Sequence, residues 1–452
     1  MKLTISNFGP VKGTQDYQLD FKKDFTLVTG ANGLGKTYLG YLVYGLIKRI
    51  NLQPLPPRLF KELTENSKSI DLNFDRIKEY FETLIKAYKD DIHIYMGIDR
   101  QSAEMIFKDL NVGVLNLDAK YRDFFENSYE KTLVLQQTIT FSLKKEANSS
   151  ILNFMFNQQE AWDSNLSLPV VDALICFIVC KNILVNGEIG NVHYFPVERN
   201  SLYTFSRELL LNRSQIIEET LAARRKVNRY PEAIEDALKD ALDLNQTTKN
   251  ESDKIFIDLA AQIERDVLQG EILVSSDGEV QFVPVHSQEN RVPAHLGASF
   301  IKTISSLVFF LKHKAVKGDL IMIDEPEMNL HPNLQVLFAR VLVRISNAGI
   351  KVWVSTHSDY IISELNNLCL LGTLKNKGVN DAAERLGYAS DDFLDRDKMQ
   401  ALYLSVNNET NRVDVENLEI RDNGVDIKSI DQCLSDLNAR TNELSELYEN
   451  LD

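Results

Sequence analysis

The chain is poor in cysteine, and this excludes two classes of protein. Of its 452 residues only 4 are cysteines, and no two of them form a C-x-x-C motif. Zinc ribbons need cysteines at such spacings, and small secreted domains need several disulfides. The sequence therefore argues against both classes and is typical of a protein whose thiols stay reduced in a cytosol.

Basic charge and long hydrophobic runs are also scarce. The chain has 50 basic and 65 acidic residues, a formal charge of −15, which is unsuited to coating nucleic acid over the whole surface. The longest apolar run, residues 170–185, is interrupted by Asp172 and Lys181 and is shorter than the ~20 residues of a membrane helix. The N-terminal residues have the pattern of a strand rather than of a signal peptide. We expect a cytoplasmic protein without a membrane partner, in which a local basic groove for DNA remains open.

The remaining composition, 44% hydrophobic and 25% charged residues, is that of a globular protein. At roughly 150 residues per domain, the length suggests about three structural units or one large domain with insertions. Local patterns predict single strands at 92–98 and 133–141, and a hairpin joining 272–274 to 280–283.

The clearest motif lies near the N-terminus, where a strand-like run at 25–28 is followed by a glycine-rich loop and a helical pattern at 38–50. The loop reads Gly30-Ala31-Asn32-Gly33-Leu34-Gly35-Lys36-Thr37, which is G-x-x-x-x-G-K-T. In such P-loops backbone N–H groups surround phosphate oxygens, and the following helix adds its positive N-terminal end. We expect Lys36 to reach the β- and γ-phosphates of ATP and Thr37 to place its hydroxyl on Mg²⁺.

A second motif follows the apolar run at 320–323, which ends in Asp324-Glu325. An apolar strand ending in Asp-Glu is the Walker B pattern. After a P-loop it predicts that Asp324 holds Mg²⁺ and that Glu325 orients or deprotonates the attacking water.

A third apolar run, 352–355, ends in polar residues that include His357. A histidine at this position can hydrogen-bond a γ-phosphate and sense its loss. The alternative is an ordinary structural histidine at a strand end.

Two further runs make the chain resemble a known family. The more specific is Asp324-Glu325-Pro326-Glu327-Met328-Asn329-Leu330-His331-Pro332, and the other is Ser355-Thr356-His357-Ser358. With the opening strand at 3–8 and the Tyr-Phe-Pro-Val-Glu-Arg stretch at 194–199, they resemble the OLD (overcoming lysogenisation defect) family. These are ABC-type ATPases of bacteria and phages, close to RecF and SMC heads. The resemblance covers roughly 1–50, 190–205 and 265–375.

The resemblance implies an α/β fold. We expect an ABC-type P-loop ATPase head, a mixed sheet flanked by helices, with a helical insertion and a helical C-terminus. The first part of the head would occupy 1–205, a helical arm 206–265 and the second part of the head 266–375. Residues 376–452 would form a region that docks a partner or packs on the head.

The resemblance also predicts a signature motif before Walker B, and the candidate is the stretch at 296–302. Ser299 would contact the nucleotide of a second protomer, or else simply cap its helix. The usual Ser-Gly-Gly is missing, and no Q-loop can be placed, because Gln136 and Gln137 are better explained as exposed strand residues. A signature acting in trans implies a homodimer or higher oligomer with ATP at the interface.

Two charged segments leave their roles open. The basic residues Arg224, Arg225, Lys226 and Arg229 lie in the predicted arm. They are typical of a solvated helix face, a DNA groove or a face for an acidic partner. The acidic, helical tail at 430–452 either packs on the head or holds a partner subunit.

We find no nuclease motif in the chain. OLD nucleases carry a further domain with a D-x-D motif on a strand, whereas Asp395-Arg396-Asp397 lies in a charged run that predicts a solvated loop. The resemblance implies an ATPase that acts as sensor or scaffold of a bacterial antiphage defence complex and controls a separate effector, expected to be a nuclease. The alternative is a RecF/SMC-like DNA-binding clamp of DNA repair. A transporter subunit fits the motifs poorly.

Overall fold

The computed structural model describes most of the chain. The described residues are 2–9, 11, 17–52, 69–135, 139–156, 189–202, 230–242, 244–275, 280–286, 291–293, 296–379 and 381–449. Gln136, Gln137 and the basic group Arg224, Arg225, Lys226 and Arg229 lie outside them.

Strands and helices are numbered here in chain order. The strands are β1 Lys2–Ser6, β2 Tyr17–Asp20, β3 Phe25–Gly30, β4 Ser69–Asp71, β5 Asn111–Leu115, β6 Tyr129–Leu135, β7 Ile139–Lys145, β8 Ile151–Phe156, β9 Val192–Phe195, β10 Gly270–Val274, β11 Val280–Pro284, β12 Val292–Pro293, β13 Leu320–Asp324, β14 Lys351–Thr356, β15 Met399–Asn407 and β16 Arg412–Leu418. The helices are α1 Lys36–Leu52, α2 Phe74–Asp90, α3 Ile92–Met96, α4 Arg100–Ile106, α5 Leu117–Glu126, α6 Glu232–Leu242, α7 Leu244–Thr247, α8 Lys254–Ile263, α9 Ser299–His313, α10 Pro332–Asn347, α11 Asp359–Asn376, α12 Ala382–Arg385 and α13 Lys428–Glu449. Within the described part of the chain, no helix has both the length and the apolar character needed to cross a membrane.

A six-stranded mixed sheet contains the strands that carry the predicted motifs, in the order β16-β15-β3-β14-β13-β9. β9, β13, β14, β3 and β15 run parallel, and β16 pairs antiparallel with β15. Since parallel strands end at the same edge of a sheet, the ends of β3, β14 and β13 meet there. The three predicted motifs therefore lie next to one another at this edge of the sheet.

The central strands are buried on both faces because successive side chains enter two different hydrophobic clusters. Leu320 and Met322 of β13 pack in the cluster that contains α1 and α2. Ile321 and Ile323 pack in the cluster that contains α8, α9, α10 and α11. Two-sided burial explains why these strands are continuous apolar runs in the sequence. The predicted α/β fold, a mixed sheet flanked by helices, is confirmed.

Smaller antiparallel sheets adjoin this core. Their orders are β2-β1-β5, β4-β8-β7-β6 and β10-β11-β12. The predicted hairpin is confirmed, since β10 pairs antiparallel with β11 and Val274 lies opposite Val280.

Two local predictions were wrong. Residues 133–135 and 139–141 belong to two different strands, because β6 and β7 pair antiparallel with Leu135 opposite Ile139. Residues 92–98, predicted as a strand, contain α3, which ends at Gly97 in the left-handed conformation (φ 63°). Tyr95 and Met96 are buried with Ile92 on one face of this helix. Their spacing of three and four residues from Ile92 is typical of a helix, and it was a better guide than the strand-like composition of the segment.

The central sheet continues beyond residue 375, where the sequence placed the end of the head. β15 pairs with β3 from Met399 opposite Phe25 to Leu404 opposite Gly30. The strand before the P-loop is therefore interior to the sheet, and its neighbour comes from the C-terminal segment.

The described helices of the predicted arm, 206–265, are α6, α7 and α8. Phe256, Leu259 and Ile263 of α8 are buried in the cluster shared with α9 and α10. This part of the segment packs on the core.

The last helix, α13, shows the opposite behaviour. Its side chains from Asp436 to Glu446 are exposed, and Leu437, Leu444 and Tyr448 are among the exposed large hydrophobic residues. Along this length the helix does not pack on the head, which was one of the two roles predicted for the tail.

Candidate functional site

The P-loop joins the end of β3 to the start of α1. Gly30, Gly33 and Gly35 all have positive φ angles, of 142°, 78° and 97°. A Cβ atom at Gly30 would lie 2.3 Å from the carbonyl oxygen of Leu404, so only glycine fits there. Ala31, Asn32 and Gly33 are exposed, so the tip of the loop faces solvent just before the positive end of α1.

Lys36 is buried at the start of α1 and turns back into the loop. Its Nζ donates hydrogen bonds to the carbonyl oxygens of Gly30 (2.8 Å) and Ala31 (3.0 Å). Burial lowers the pKa of Lys36, and the carboxylates of Glu325 and Asp324 oppose that change. The ammonium therefore lies inside the P-loop and close to the Walker B carboxylates.

Asp324 is the last residue of β13 and is almost completely buried. Its Oδ2 accepts a hydrogen bond of 2.7 Å from the hydroxyl of Thr37, which lies 287 residues away in sequence. Its Oδ1 accepts from the hydroxyl of Ser355 at the end of β14. One carboxylate thus connects the ends of the three motif-bearing segments.

Thr37 and Asp324 form a suitable donor set for Mg²⁺. The ion prefers oxygen ligands and in nucleotide sites takes few protein ligands beside phosphate oxygens and water. A hydroxyl and a buried carboxylate oxygen 2.7 Å apart meet that requirement.

Glu325 lies directly after β13 in an uncommon backbone conformation. Its φ is 46°, a left-handed value that is costly for residues other than glycine and occurs mainly where the surroundings enforce it. Its N–H donates to the Ser355 carbonyl (2.8 Å). Burial raises the pKa of Glu325, and the neighbouring charge of His357 partly opposes the rise. This carboxyl group binds protons more readily than an ordinary glutamate.

His357 follows β14 and lies beside two carboxylates. Its Nδ1 is 3.3 Å from Oε1 of Glu327 and 3.7 Å from Oε1 of Glu325. The ring is partly exposed and faces the same edge of the sheet as Glu325.

Glu327 was quoted in the sequence run but given no role by sequence reasoning. Its Oε1 accepts hydrogen bonds from the Thr356 hydroxyl (2.7 Å) and the His357 backbone N–H (3.0 Å). It is buried, and within the described residues its Oε2 has no hydrogen-bond partner. In the sequence, its position two residues after Glu325 suggests that Glu327 lies near the site. It does not indicate the hydrogen bonds to Thr356 and His357.

Arg199 is a second residue whose contacts in the site were not predicted from the sequence. Its guanidinium is buried and donates to the carbonyl oxygens of Asp324 (2.7 Å), Glu325 (2.7 Å) and Pro196 (3.0 Å). Burial lowers the pKa of Arg199 to about 10, well above neutral pH, so it carries a buried positive charge beneath the two acidic residues.

Ser299 is the first residue of α9 and is exposed. The cap position is taken by Ala298 without a side-chain hydrogen bond, so the interpretation of Ser299 as the helix cap was wrong. Its contact with a nucleotide of a second protomer stays a prediction, as does the signature around it.

A family model described as AAA ATPase domain matches residues 1–362. An Smc head bound to the C-winged helix domain of ScpA is 13% identical, covering 93% of this chain and 98% of that one with a TM-score of 0.37. An Smc head with an extended coiled coil bound to the C-terminal domain of ScpA, derived from Pyrococcus furiosus, is 13% identical, with coverage of 97% and 98% and a TM-score of 0.38. The SMC head domain from Thermotoga maritima is 11% identical, with coverage of 93% and 98% and a TM-score of 0.31. No curated protein matches the chain.

Proposed function

Since the chain belongs to the AAA ATPase domain family, we propose that it binds ATP with Mg²⁺ at the P-loop and hydrolyses it with Glu325 as the base. One observation carries this proposal. The Thr37 hydroxyl donates to the buried carboxylate of Asp324, which joins the phosphate-binding loop to the residues that would act on the phosphate. A glycine-rich turn without catalytic function has no need of this contact.

The P-loop would bind the phosphates through its backbone N–H groups and the start of α1. Lys36 now donates to the carbonyls of Gly30 and Ala31. Charged phosphate oxygens are stronger acceptors than carbonyl oxygens, so the ammonium would turn to the β- and γ-phosphates when ATP binds.

Glu325 would accept the proton of the attacking water. A general base works best when its pKa lies near the working pH, and burial raises the pKa of Glu325 in that direction. His357 lies beside this carboxylate and would sense the γ-phosphate. Thr37 and Asp324 would hold Mg²⁺, which neutralises charge on the phosphate oxygens when it is bound.

We further propose that ATP turnover serves a sensor or scaffold subunit of an antiphage defence complex, which controls a separate nuclease-type effector. The Asp-Glu-Pro-Glu run at 324–327 and its continuation to Pro332, which resemble the OLD family, support this role. The active form would be a homodimer or a higher oligomer. ATP binding would favour one arrangement of the protomers, and hydrolysis would favour another. The free energy of this shift cannot exceed the difference between the free energies of ATP binding to the two arrangements.

ATPase activity is tested with two single variants. Lys36→Ala is expected to lose ATP binding, because it removes the cation of the P-loop. Glu325→Gln is expected to bind ATP but to turn it over at least about 100-fold more slowly, the usual contribution of a general base. Tight ATP binding by Lys36→Ala, or wild-type turnover by Glu325→Gln, would contradict the respective assignment.

The biological role is tested with the same Glu325→Gln protein, expressed from its native locus with its neighbouring genes. The protein is purified with ATP, its companions are identified by mass spectrometry and the mass of the complex is measured. A stoichiometric companion with nuclease motifs supports the sensor or scaffold role. A lone homodimer that retains duplex DNA only with ATP would replace it with the DNA-repair clamp.

A further inference from the structure

One buried guanidinium holds two successive carbonyl groups at the end of β13. Nη1 of Arg199 donates to the carbonyl of Asp324 and Nη2 to that of Glu325, both at 2.7 Å. Nη1 also donates to the carbonyl of Pro196 (3.0 Å), so the arginine is fixed to its own loop as well. The side chain is 2% exposed, and its three acceptors are all backbone atoms.

This arrangement depends on the backbone of Glu325. Successive carbonyl groups of a strand point in opposite directions, because the strand hydrogen-bonds to neighbours on both sides. Both can reach a single guanidinium only where the chain turns, and Glu325 with φ 46° makes that turn. β9 pairs with β13 as far as Phe195 opposite Ile323. β9 ends there, and beyond that point Arg199 is the hydrogen-bond donor to the carbonyl groups of Asp324 and Glu325.

The carboxylate of Glu325 itself is held loosely. Among the described residues, its ion-pair partner is His357, with Nδ1 at 3.7 Å, and about a third of the glutamate side chain is exposed. The direction in which this side chain leaves the backbone is consequently set by the backbone. That backbone is held on one side by Ser355, whose carbonyl accepts from Glu325 N–H (2.8 Å), and on the other by Arg199.

We propose that Arg199 is a positioning residue for ATP hydrolysis: its guanidinium holds the left-handed backbone of Glu325 and thereby aims the carboxylate at the attacking water. This inference rests on the proposed ATPase function. Arginine suits the task because its planar fork presents several N–H donors in fixed directions, whereas lysine offers one ammonium on a flexible stem.

The first test is the charge-conserving variant Arg199→Lys, assayed for kcat and for ATP affinity. Displacing a reacting group by about 1 Å costs on the order of 100-fold in rate. We expect kcat to fall by about 10- to 100-fold while the Kd for ATP stays within about twofold. Arg49→Lys is the matched control, since Arg49 is also buried but pairs with Asp91 at the other end of α1. It is expected to leave kcat unchanged.

The second test measures coupling between residues 199 and 325 through the melting temperature. Glycine has no penalty at positive φ, so Glu325→Gly removes the strain that Arg199 holds. Arg199→Lys is expected to lower the melting temperature less in the Glu325→Gly background than in the wild type. The double variant also provides a folded protein for comparison if Arg199→Lys alone is unstable. A structural arginine without this role would give additive shifts.

The outcomes separate this inference from the function on which it rests. Wild-type kcat in Arg199→Lys, a parallel loss of ATP affinity and kcat, or additive melting shifts would each overturn the positioning role. Failure of the ATPase proposal shows instead in the reference proteins, as a wild type without ATP turnover or a Glu325→Gln variant that equals it.

Discussion

Gly30→Ala is the substitution that best tests how the P-loop is attached to the fold. Gly30 ends β3 and lies opposite Leu404 of β15. An alanine Cβ at this position would meet the Leu404 carbonyl oxygen at 2.3 Å and the Leu404 carbonyl carbon at 3.1 Å. These are backbone atoms of a paired strand, so they cannot turn aside as a flexible side chain can.

The loss of stability follows from two separate costs. A non-glycine residue at a strongly disfavoured positive φ costs about 1–3 kcal/mol, and φ at Gly30 is 142°. Forcing a methyl group into a packed site costs about 1–3 kcal/mol more. Gly30→Ala should therefore lower the free energy of unfolding by about 2–6 kcal/mol. Gly33→Ala has the first kind of cost without the second, because no atom lies within 4 Å of its added Cβ, and it should lose about 1–2 kcal/mol.

Urea unfolding of the two variants without nucleotide measures this difference, because bound ATP would otherwise add its own stabilisation. The change in free energy is the change in midpoint multiplied by the slope of the transition. Equal losses of unfolding free energy in Gly30→Ala and Gly33→Ala would refute the reasoning, since they would show that the backbone of Leu404 in β15 leaves room for a side chain at residue 30.

Two further predictions concern the edge of the sheet. The acid limb of kcat/KM reports the pKa of the free enzyme's base. The charge of His357 lowers the raised pKa of Glu325, so His357→Gln should move that limb to higher pH, and an unmoved limb would contradict the coupling. Glu327→Gln removes the charge beside the His357 ring while leaving an oxygen to accept from Thr356. We expect about tenfold lower kcat with unchanged ATP affinity. Glu364 is a buried glutamate that pairs with Arg340, and Glu364→Gln should keep wild-type kcat. Equal losses of kcat in both variants would show that Glu327 does not act by holding His357.

Local sequence patterns were sufficient for the strands that carry the motifs. β3, β13 and β14 are apolar runs ended by polar residues, and such runs are typical of parallel strands buried on both faces. The sequence assigned Thr37 and Asp324 to one Mg²⁺ ion and His357 to the γ-phosphate, and so predicted that the three residues meet. The structure brings Thr37 into contact with Asp324 and places His357 beside Glu325.

Elsewhere the local pattern was ambiguous or incomplete. Residues 92–98 contain isoleucines, which favour strands, yet burial of Ile92, Tyr95 and Met96 on one face selected a helix. Residues 136–138, between β6 and β7, include no glycine or proline, so two strands were taken for one. β15 was missed because its partner β3 lies more than 300 residues earlier, and pairing over such a distance leaves no local mark.

The sequence by itself determined which residues we propose for the chemistry at the edge of the sheet, because the types and spacing of Lys36, Thr37, Asp324 and Glu325 are those that phosphate, Mg²⁺ and a general base require. Only the tertiary structure decided what holds these groups in place. β15 borders the P-loop strand, Glu327 fastens His357, and Arg199 holds the carbonyls around Glu325. The physical reason is that these supports act through backbone carbonyls and N–H groups. Every residue has a carbonyl group and every residue except proline has an N–H, so no side-chain pattern in the sequence shows which of them an arginine or a glutamate will meet.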